Sequence, residues 1–245
     1  NLGRPDAPLY LLYAACHGSE WEPAYGLLTF ARRLAAGDLT DGVDLERVAV
    51  KILPILNPSG YDAFARRNAN GVDLNRQGDE CWDAYPPAGP QSGDYGPGKQ
   101  DWKGAGPFTE PEAVIYRRLC GLPNLHCVLD FHGNMSATNN KLGVVPITAR
   151  ADNDLRGLRL QDLVNSRLQG RFVLRQADED SVSPYLIACV YPDSARPTLI
   201  NSSCRGRYGI LVELTAGYRT SYGTLLQTDV TGEICKALFT VYPPP

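Results

Sequence analysis

Two histidines and a glutamate in this sequence have the types and the spacing of a catalytic zinc site. His17 and Glu20 stand three residues apart in the segment CHGSE, and His132 follows the apolar segment CVLDF. A catalytic zinc takes three protein ligands from histidine and carboxylate and keeps a fourth position for water. The HxxE pair alone is also compatible with a satisfied histidine beside a solvated glutamate at the start of a helix. Further motifs are therefore needed to separate the two interpretations.

Apolar segments predict that these residues lie at the ends of buried strands. PLYLLYAA precedes His17, CVLDF precedes His132, and GILVEL contains Glu213. Each is a short apolar run of the length that buried strands have. Because ligands bind outside the carboxyl ends of parallel strands, we expect His17, His132 and Glu213 to meet at one edge of a sheet. The first turn of the helix after His17 is expected to bring His17 and Glu20 onto one face.

Strands and helices alternate along the chain. This alternation predicts an α/β fold, a three-layer α/β/α sandwich around a mixed, largely parallel twisted sheet. Thr109 with Glu112 three residues later predicts a capping box at the start of a helix that runs to about Cys120. Helices are predicted at about 22–36, 109–120, 152–168 and 223–241, and further strands at 48–56, 141–146 and 172–175.

The composition favours one large core and a small partner. With 245 residues, of which 43% are hydrophobic, the chain is long enough for a single catalytic domain over residues 1–245. Charged residues make up 21% and the net charge is -3, so no basic field attracts nucleic acid. No apolar run reaches the roughly 18 to 20 residues of a membrane span. Oligomeric state is not predicted by these features.

Cysteine usage and the first residues bear on the compartment. The seven cysteines are scattered without CxxC pairs, which favours reduced thiols and a cytoplasmic location. Because the sequence begins with Asn, a removed leader and a periplasmic or secreted location stay open as alternatives. Cys16 adjoins His17, but a cysteine nucleophile needs a base and an orienting partner, and the neighbours of Cys16 favour metal chemistry.

The most specific pattern is NPSGYDAFARRNANGVDLNR, residues 57–76. With HGSE before it and PFTEPE, DFHGN and VEL after it, this segment resembles the funnelin-type zinc metallocarboxypeptidases. These motifs cover most of the chain and stand in the order that the family has. The resemblance implies a carboxypeptidase-like fold and a zinc-dependent metallopeptidase, a hydrolase of amide bonds near a free carboxyl terminus. Peptides or peptide-like small molecules, muropeptides among them, are the implied substrates.

The resemblance implies a role for each residue that matches a metal-site motif. His17, Glu20 and His132 would bind one zinc ion per chain. Glu213 would be the general base and then the general acid, and would not bind the metal. A metal lowers the pKa of its water toward about 7, so a nearby carboxylate can take the proton and deliver it to the leaving amine.

The resemblance also implies roles for the segment 57–76. Arg66 would stabilise the oxyanion, because a guanidinium keeps its charge; the adjacent Arg67 is its rival and is expected to be a surface arginine. Asn75 and Arg76 match the pair that binds the free carboxylate of a peptide. Asp73 matches a carboxylate that accepts a hydrogen bond from the non-ligating nitrogen of the first zinc histidine.

The sequence departs from the family pattern in two places. NRQG stands at residues 75–78, where the family has NRNF or NRNW, so the rim near the substrate's carboxyl terminus is expected to differ. The family's mobile tyrosine before the catalytic glutamate has no motif here. Tyr185, Tyr191 and Tyr208 are the candidates, with Tyr191 preferred.

Two other features are interpreted without a catalytic role. The Gly/Pro-rich stretch at about 77–108 is expected to form a rim loop over the site. His126 stands six residues before His132, and is expected to be structural, at the far end of the same strand. At about 3.3 Å per residue it would lie about 20 Å from the metal.

Two other functions fit part of the pattern. A zinc deacylase of the aspartoacylase and succinylglutamate desuccinylase type shares the HxxE motif with a late histidine and glutamate. A non-catalytic binding module on a catalytic fold is the other alternative, because fold does not imply function. GVDLNR and PFTEPE favour the peptidase over the deacylase, and the presence of both Glu213 and Arg66 argues against a binding module.

Overall fold

The fold is seen in a computed structural model of the chain. The structure describes residues 2–39, 43–83, 85, 96–135, 141–147, 153–168, 173–176, 197–203, 207–215 and 223–245. The strands are β1 Leu2–Gly3, β2 Leu9–Ala14, β3 Ala49–Leu53, β4 Leu125–Met135, β5 Lys141–Ile147, β6 Val173–Gln176 and β7 Tyr208–Thr215. The helices are α1 Glu22–Ala35, α2 Pro58–Asp62, α3 Pro111–Cys120, α4 Asn153–Leu168, α5 Leu199–Ser203 and α6 Gly223–Val241, with a 3-10 helix at Leu74–Arg76.

The described strands form one mixed sheet in the order β1-β3-β2-β4-β7-β5-β6. The four strands β3, β2, β4 and β7 are mutually parallel, whereas β1 pairs antiparallel with β3 and β5 pairs antiparallel with β7. The carboxyl ends of the four parallel strands therefore share one edge of the sheet. This confirms the predicted α/β architecture and places the chain segments after β2 and β3 beside the ends of β4 and β7.

Alternate residues of β2 show how the three layers are built. Tyr10, Leu12 and Ala14 pack into a buried cluster with apolar residues of α1, α4 and α6 on one face of the sheet. Leu9, Leu11 and Tyr13 pack into a second cluster with α3 and α5 on the other face. A strand buried on both faces has no polar alternation, and each fully buried leucine contributes about 1.5–3 kcal/mol to stability.

Four strand ends differ from the prediction, the first being that of β3, which ends at Leu53 and not at residue 56. β2 ends at Ala14, before His17, whereas β4 continues past His132 to Met135 and β7 continues past Glu213 to Thr215. The extension of β4 and β7 is cooperative, because His132 pairs with Glu213 and, after a register shift, Met135 pairs with Thr215. Backbone pairing between neighbours lengthens both strands beyond the apolar runs that predicted them.

The four predicted helices are all present, and the N-terminus of α3 differs from the prediction. α1 ends as expected, with Gly37 at φ +76 just after it. The capping box at Thr109 is wrong: α3 begins at Pro111 and its N-cap residue, Glu110, makes no side-chain cap. The side-chain oxygen of Gln77 accepts hydrogen bonds from the backbone N–H groups of Thr109 (2.8 Å) and Glu110 (3.0 Å), which replaces the expected cap.

The helix α2 was not predicted, because NPSG has the composition of a turn. Pro58 occupies the first turn of α2, and the Asn57 side chain accepts a hydrogen bond from the N–H of Gly60 (2.9 Å). Proline and an asparagine cap together start the helix. Among the described helices, none has both the length and the hydropathy to cross a membrane.

Candidate metal centre

The segment between β2 and α1 carries the first two candidate ligands. α1 begins at Glu22, so His17 and Glu20 lie before it and not on a helix face, and that expectation is wrong. A turn brings them together instead, with the Glu20 N–H donating to the His17 carbonyl at 3.0 Å. The turn follows Ala15, whose φ of 50° redirects the chain out of β2.

Two glycines let this turn pack directly on α2. A Cβ at Gly18 would lie 1.9 Å from the carbonyl carbon of Gly60, so the turn and α2 could not lie so close together with a larger residue at position 18. The Asn57 side chain donates to the carbonyl of Cys16 (3.2 Å) and to that of Arg66 (3.3 Å). The NPSG motif therefore joins the HxxE turn to the segment that carries Arg66.

The three candidate ligands converge in a buried cluster. His17, Glu20 and His132 are 3%, 5% and 1% exposed, and one ligand atom from each lies within 4.8 Å of the others. His17 Nδ1 lies 2.8 Å from Glu20 Oε1, and His132 Nδ1 lies 3.0 Å from Glu20 Oε2. The two Nδ1 atoms are 3.3 Å apart.

These distances fit zinc. Two nitrogens that each lie about 2.0–2.1 Å from one tetrahedral zinc are about 3.3–3.4 Å apart, which is the separation of the two Nδ1 atoms. Two imidazoles and one carboxylate form the donor set of a catalytic zinc site with one position left for water. The side chains present would therefore hold the ion with little rearrangement.

A buried carboxylate holds the outer nitrogen of each histidine. His17 Nε2 donates to Asp73 Oδ1 at 3.1 Å, as predicted for Asp73, and His132 Nε2 donates to Asp130 Oδ2 at 3.1 Å. Donation from Nε2 leaves each Nδ1 as the acceptor nitrogen that a metal needs. Asp130 was not predicted; its position two residues before His132 on one strand, hence on the same face, is the signal that would have found it.

The electrostatics of the cluster favour positive charge between the ligands. Burial alone would lower the pKa of His132, but the charge of Asp130 and hydrogen bonds to Asp130 and Glu20 raise it well above its ordinary value. Burial alone would raise the pKa of Glu20, but the two histidines hold it well below its ordinary value. Burial also raises the pKa of the Cys16 thiol well above its ordinary value, which keeps the thiol protonated and argues against a cysteine nucleophile.

Arg66 lies directly beside this cluster. Its Nη1 is 3.2 Å from His17 Nδ1, while its Nε and Nη2 donate to Asp73 Oδ2 at 3.1 and 2.7 Å. Nη2 also donates to Asp101 at 3.2 Å. The guanidinium is thus fixed by two carboxylates with one edge toward the candidate metal position. Asp101, in the loop before α3, was not predicted as a site residue.

Asn75 and Arg76 lie in the 3-10 helix next to Asp73. Arg76 is fully buried; its Nε donates to the Tyr85 hydroxyl (3.0 Å) and its Nη1 to the carbonyl of Asn75 (2.8 Å). Arg76 Nη2 is 3.5 Å from Asp101 Oδ1, so Asp101 lies between the guanidinium groups of Arg66 and Arg76. The segment 57–76 therefore brings both predicted arginines to one side of the cluster.

Comparison with known proteins agrees with this geometry. The sequence profile of the zinc carboxypeptidase family matches residues 1–159, well over half of the chain. The chain belongs to the zinc carboxypeptidase family. It is therefore a member of a family of hydrolases, and zinc is the metal that the family implies for the cluster of His17, Glu20 and His132.

Individual relatives of this zinc carboxypeptidase are distant. Gamma-D-glutamyl-L-diamino acid endopeptidase 1 of Lysinibacillus sphaericus is 25% identical over 153 residues, which are 49% of this chain and 38% of that protein. This chain thus covers well under half of that relative's length. Carboxypeptidase A from Helicoverpa armigera has the same fold, with a TM-score of 0.70 and 20% identity over 96% of this chain and 60% of the other. Bovine thrombin-activatable fibrinolysis inhibitor, in complex with tick carboxypeptidase inhibitor, has a TM-score of 0.66 and 17% identity, and the match covers 96% of this chain and 80% of the other.

The departure from the family pattern at Gln77 has a structural role in this zinc carboxypeptidase. Gln77 is fully buried, and its amide nitrogen donates to the carbonyls of Lys103 and Gly106 (3.1 Å for Gly106). Its amide oxygen accepts hydrogen bonds from the two backbone N–H groups at the start of α3. Gln77 thereby joins the last described residues of the 77–108 segment and the start of α3 to the 3-10 helix.

The structure describes only some of the remaining predicted residues. Glu213 lies in β7 as the register partner of His132, and its side chain falls outside the described part of the chain. Tyr191 and Tyr185 also lie outside the described residues. Tyr208 is buried in β7 with its ring against Tyr242 and His126, in the core and not at the metal cluster.

The His126 ring has a structural environment, as predicted. It packs edge-on against Tyr10 and Tyr208, each with ring centroids 5.3 Å apart, near the amino end of β4. His132 lies near the other end of the same strand. The third histidine is thus separated from the metal cluster by most of the strand.

Asp130→Asn is expected to weaken zinc binding about 10-fold to 100-fold, because it removes the negative charge that polarises His132 while preserving side-chain volume. The measurement is competition for zinc against a chromophoric chelator. Asp62→Asn, an exposed change in α2, is the matched control and should leave the affinity unchanged. Equal affinities in Asp130→Asn and the unmodified protein would show that Asp130 does not support the metal site.

Proposed function

We propose that this protein is a carboxypeptidase that hydrolyses the amide bond next to a free carboxyl-terminal residue, with muropeptides among its substrates. One observation carries the proposal: three buried ligands converge within 4.8 Å, with the Arg66 guanidinium 3.2 Å from one of them. A binding site for a structural metal needs no guanidinium beside it, whereas hydrolysis of an amide creates an oxyanion that a nearby guanidinium stabilises.

The proton transfers are assigned to Glu213. Zinc held by His17, Glu20 and His132 would polarise the amide carbonyl and make water more acidic. Glu213 would take a proton from the attacking water and return it to the leaving amine, a role that needs a carboxylate near the ligands but not bound to the metal. Its position opposite His132 on the neighbouring strand supports this assignment.

Arg66 is assigned to the oxyanion. Its Nε and Nη2 are occupied by Asp73 and Asp101, so the guanidinium is held in place before substrate arrives. Its Nη1 lies beside His17 Nδ1, where charge would develop as the carbonyl is attacked. A donor fixed in advance needs no reorganisation during the reaction, and one such donor is worth about 3 kcal/mol in the transition state.

Asn75 and Arg76 are assigned to the terminal carboxylate of the substrate. Arg76 is fully buried and lies near Asp101, so a substrate carboxylate would reach it only if side chains over it shift. Asp101 already places a carboxylate between Arg66 and Arg76, which supports the capacity of this pair of arginines to bind one. The substrate carboxylate would then take over part of the role of Asp101.

The name of the Lysinibacillus sphaericus relative supports muropeptides as substrates. The name of that protein, a gamma-D-glutamyl-L-diamino acid endopeptidase, describes a substrate with an unusual peptide linkage and an unusual amino acid. The match covers only 38% of that protein's length. Muropeptides therefore enter as a proposal for the substrate class, beside ordinary peptides.

Removal of Arg76 tests the proposal of a carboxypeptidase. The zinc-loaded enzyme should cleave a peptide with a free carboxyl terminus, and Arg76→Ala should lower kcat/KM for it about 10-fold to 100-fold, because charged hydrogen bonds are lost. The same change should leave the slow cleavage of the amidated peptide within about threefold. Both are measured by chromatography of the released product.

Arg76→Lys separates charge from geometry in this experiment. Lysine keeps the charge but lacks the planar fork, so it should restore only part of the activity lost in Arg76→Ala. Circular dichroism shows whether either change disturbs the fold around this buried side chain. Equal losses on free and amidated peptides in folded variants would remove the assignment of a free-carboxylate site.

A further inference from the structure

A cavity of about 380 Å³ opens beside the candidate metal centre. Its lining includes Glu20 and Arg66, which belong to that centre, and also Arg67 and Lys99, which do not. Asn75 and Arg76 are not part of the lining. The cavity therefore extends from the candidate metal position to a region that is distinct from the proposed site for the terminal carboxylate.

The charges around this cavity are unbalanced. Arg66 is neutralised by Asp73 at 2.7 Å and Asp101 at 3.2 Å, and Glu20 is engaged by the two histidines. Within the part of the chain that the structure describes, neither Arg67 nor Lys99 has an acidic side chain within 4.0 Å. Two positive charges without a carboxylate partner thus line a cavity that touches the reaction centre.

We infer that Arg67 and Lys99 bind a second negative group of the substrate, a carboxylate on the acyl side of the scissile bond. The inference rests on the proposed function. In that function the leaving residue carries its terminal carboxylate to Arg76, and the attacked carbonyl lies between the metal and Arg66. What continues into the cavity beyond Arg66 is the acyl portion of the peptide.

The two cations should contribute unequally. Arg67 is half-buried and follows Arg66 on the same backbone segment, so its guanidinium is partly shielded from solvent and restricted in position. Lys99 is exposed on the loop before α3, where water and salt weaken its attraction for a carboxylate. We therefore expect Arg67 to carry most of the selectivity and Lys99 to add a smaller, salt-dependent part.

Two matched peptide pairs test the inference with zinc-loaded enzyme. Acetyl-Glu-Ala and acetyl-Gln-Ala differ by one charge on the acyl residue, and acetyl-Ala-Glu and acetyl-Ala-Gln differ by the same charge on the leaving residue. We expect kcat/KM to favour acetyl-Glu-Ala over acetyl-Gln-Ala about tenfold, as one charge-assisted contact allows. Arg67→Gln should reduce that ratio to about one, and Lys99→Gln should reduce it about two- to threefold, with acetyl-Gln-Ala as the neutral reference in each variant.

Arg118→Gln is the matched control, since Arg118 is an exposed arginine of α3 outside the cavity and its loss should leave the ratio intact. In the Glu213→Gln background, which should not turn substrate over, the dissociation constants measured by calorimetry should show the same preference for acetyl-Glu-Ala over acetyl-Gln-Ala. A ratio near one in the unmodified enzyme, a ratio that survives Arg67→Gln, or a preference confined to the leaving-residue pair would each overturn the inference while leaving the proposed function intact. Absence of cleavage and of binding for all four peptides would overturn both.

Discussion

Replacement of Glu213 by glutamine is expected to lower kcat/KM about 10²-fold to 10⁴-fold while zinc content stays near one ion per chain. Glutamine has nearly the same shape as glutamate but cannot accept the proton of the attacking water, so the loss reports general-base and general-acid catalysis. Zinc should remain bound, because the three ligands converge without Glu213. The measurements are steady-state kinetics on a peptide with a free carboxyl terminus and metal analysis of the same sample.

Two other glutamates provide the controls for this prediction. Glu20→Gln should lower zinc content and activity together, since Glu20 lies 2.8 Å from His17 Nδ1 and 3.0 Å from His132 Nδ1. Glu46→Gln, an exposed change far along the sequence from the cluster, should alter neither quantity. If Glu213→Gln keeps activity within tenfold of the unmodified enzyme, the general base is another group.

Much of the candidate site could be predicted from the sequence, because its ligands stand in short motifs with fixed local geometry. His17 and Glu20 are joined by one turn, and Asp73 reaches His17 from the GVDLNR segment as the resemblance implied. Asp130 and Asp101 were missed for different reasons. Asp130 lies within an apolar strand, and it contacts His132 because both side chains lie on the same face of that strand. Asp101 lies in a loop, whose path cannot be predicted from a periodic pattern of residues.

The fold was predictable at the level of elements and less so at their ends. Apolar runs located β2, β3, β4 and β7, since a strand buried on both faces must be apolar throughout. The ends of β4 and β7 depend on pairing with each other, which local pattern does not contain. The start of α3 depends on Gln77, which lies 32 residues before Thr109. The residues next to Thr109 in the sequence therefore do not indicate that Gln77 replaces the expected cap.

The comparisons bear on the alternative functions as well. The family profile that matches the chain is that of the zinc carboxypeptidases, so the deacylase alternative is not favoured. A binding module without catalysis would have no need of Arg66, whose guanidinium is fixed by two buried carboxylates beside the ligand cluster. Fixing a partly buried cation in this way costs desolvation free energy, which agrees with a role that requires the charge at one position.

Removal of zinc by a chelator is expected to lower activity at least about 10³-fold while the fold persists, because carbonyl polarisation and acidification of water are lost together. The fold should persist because the core is large, with one extensive hydrophobic cluster on each face of the sheet. The ligand side chains also keep hydrogen-bond partners without it: Glu20 accepts from the Gly133 N–H at 3.1 Å, and Asp73 and Asp130 hold the histidines.

Stability should nevertheless respond to the metal by mass action. Zinc that binds the folded chain alone adds about 2.7 kcal/mol to the free energy of unfolding when its free concentration is 100 times its Kd. Far-UV circular dichroism should therefore be unchanged by chelation, whereas the thermal midpoint should fall and recover on addition of one equivalent of zinc. Full activity in a sample with less than a tenth of an ion per chain would show that hydrolysis does not use this centre. Loss of helical signal on chelation would show instead that the metal is part of the folding core, which the large hydrophobic cluster on each face of the sheet argues against.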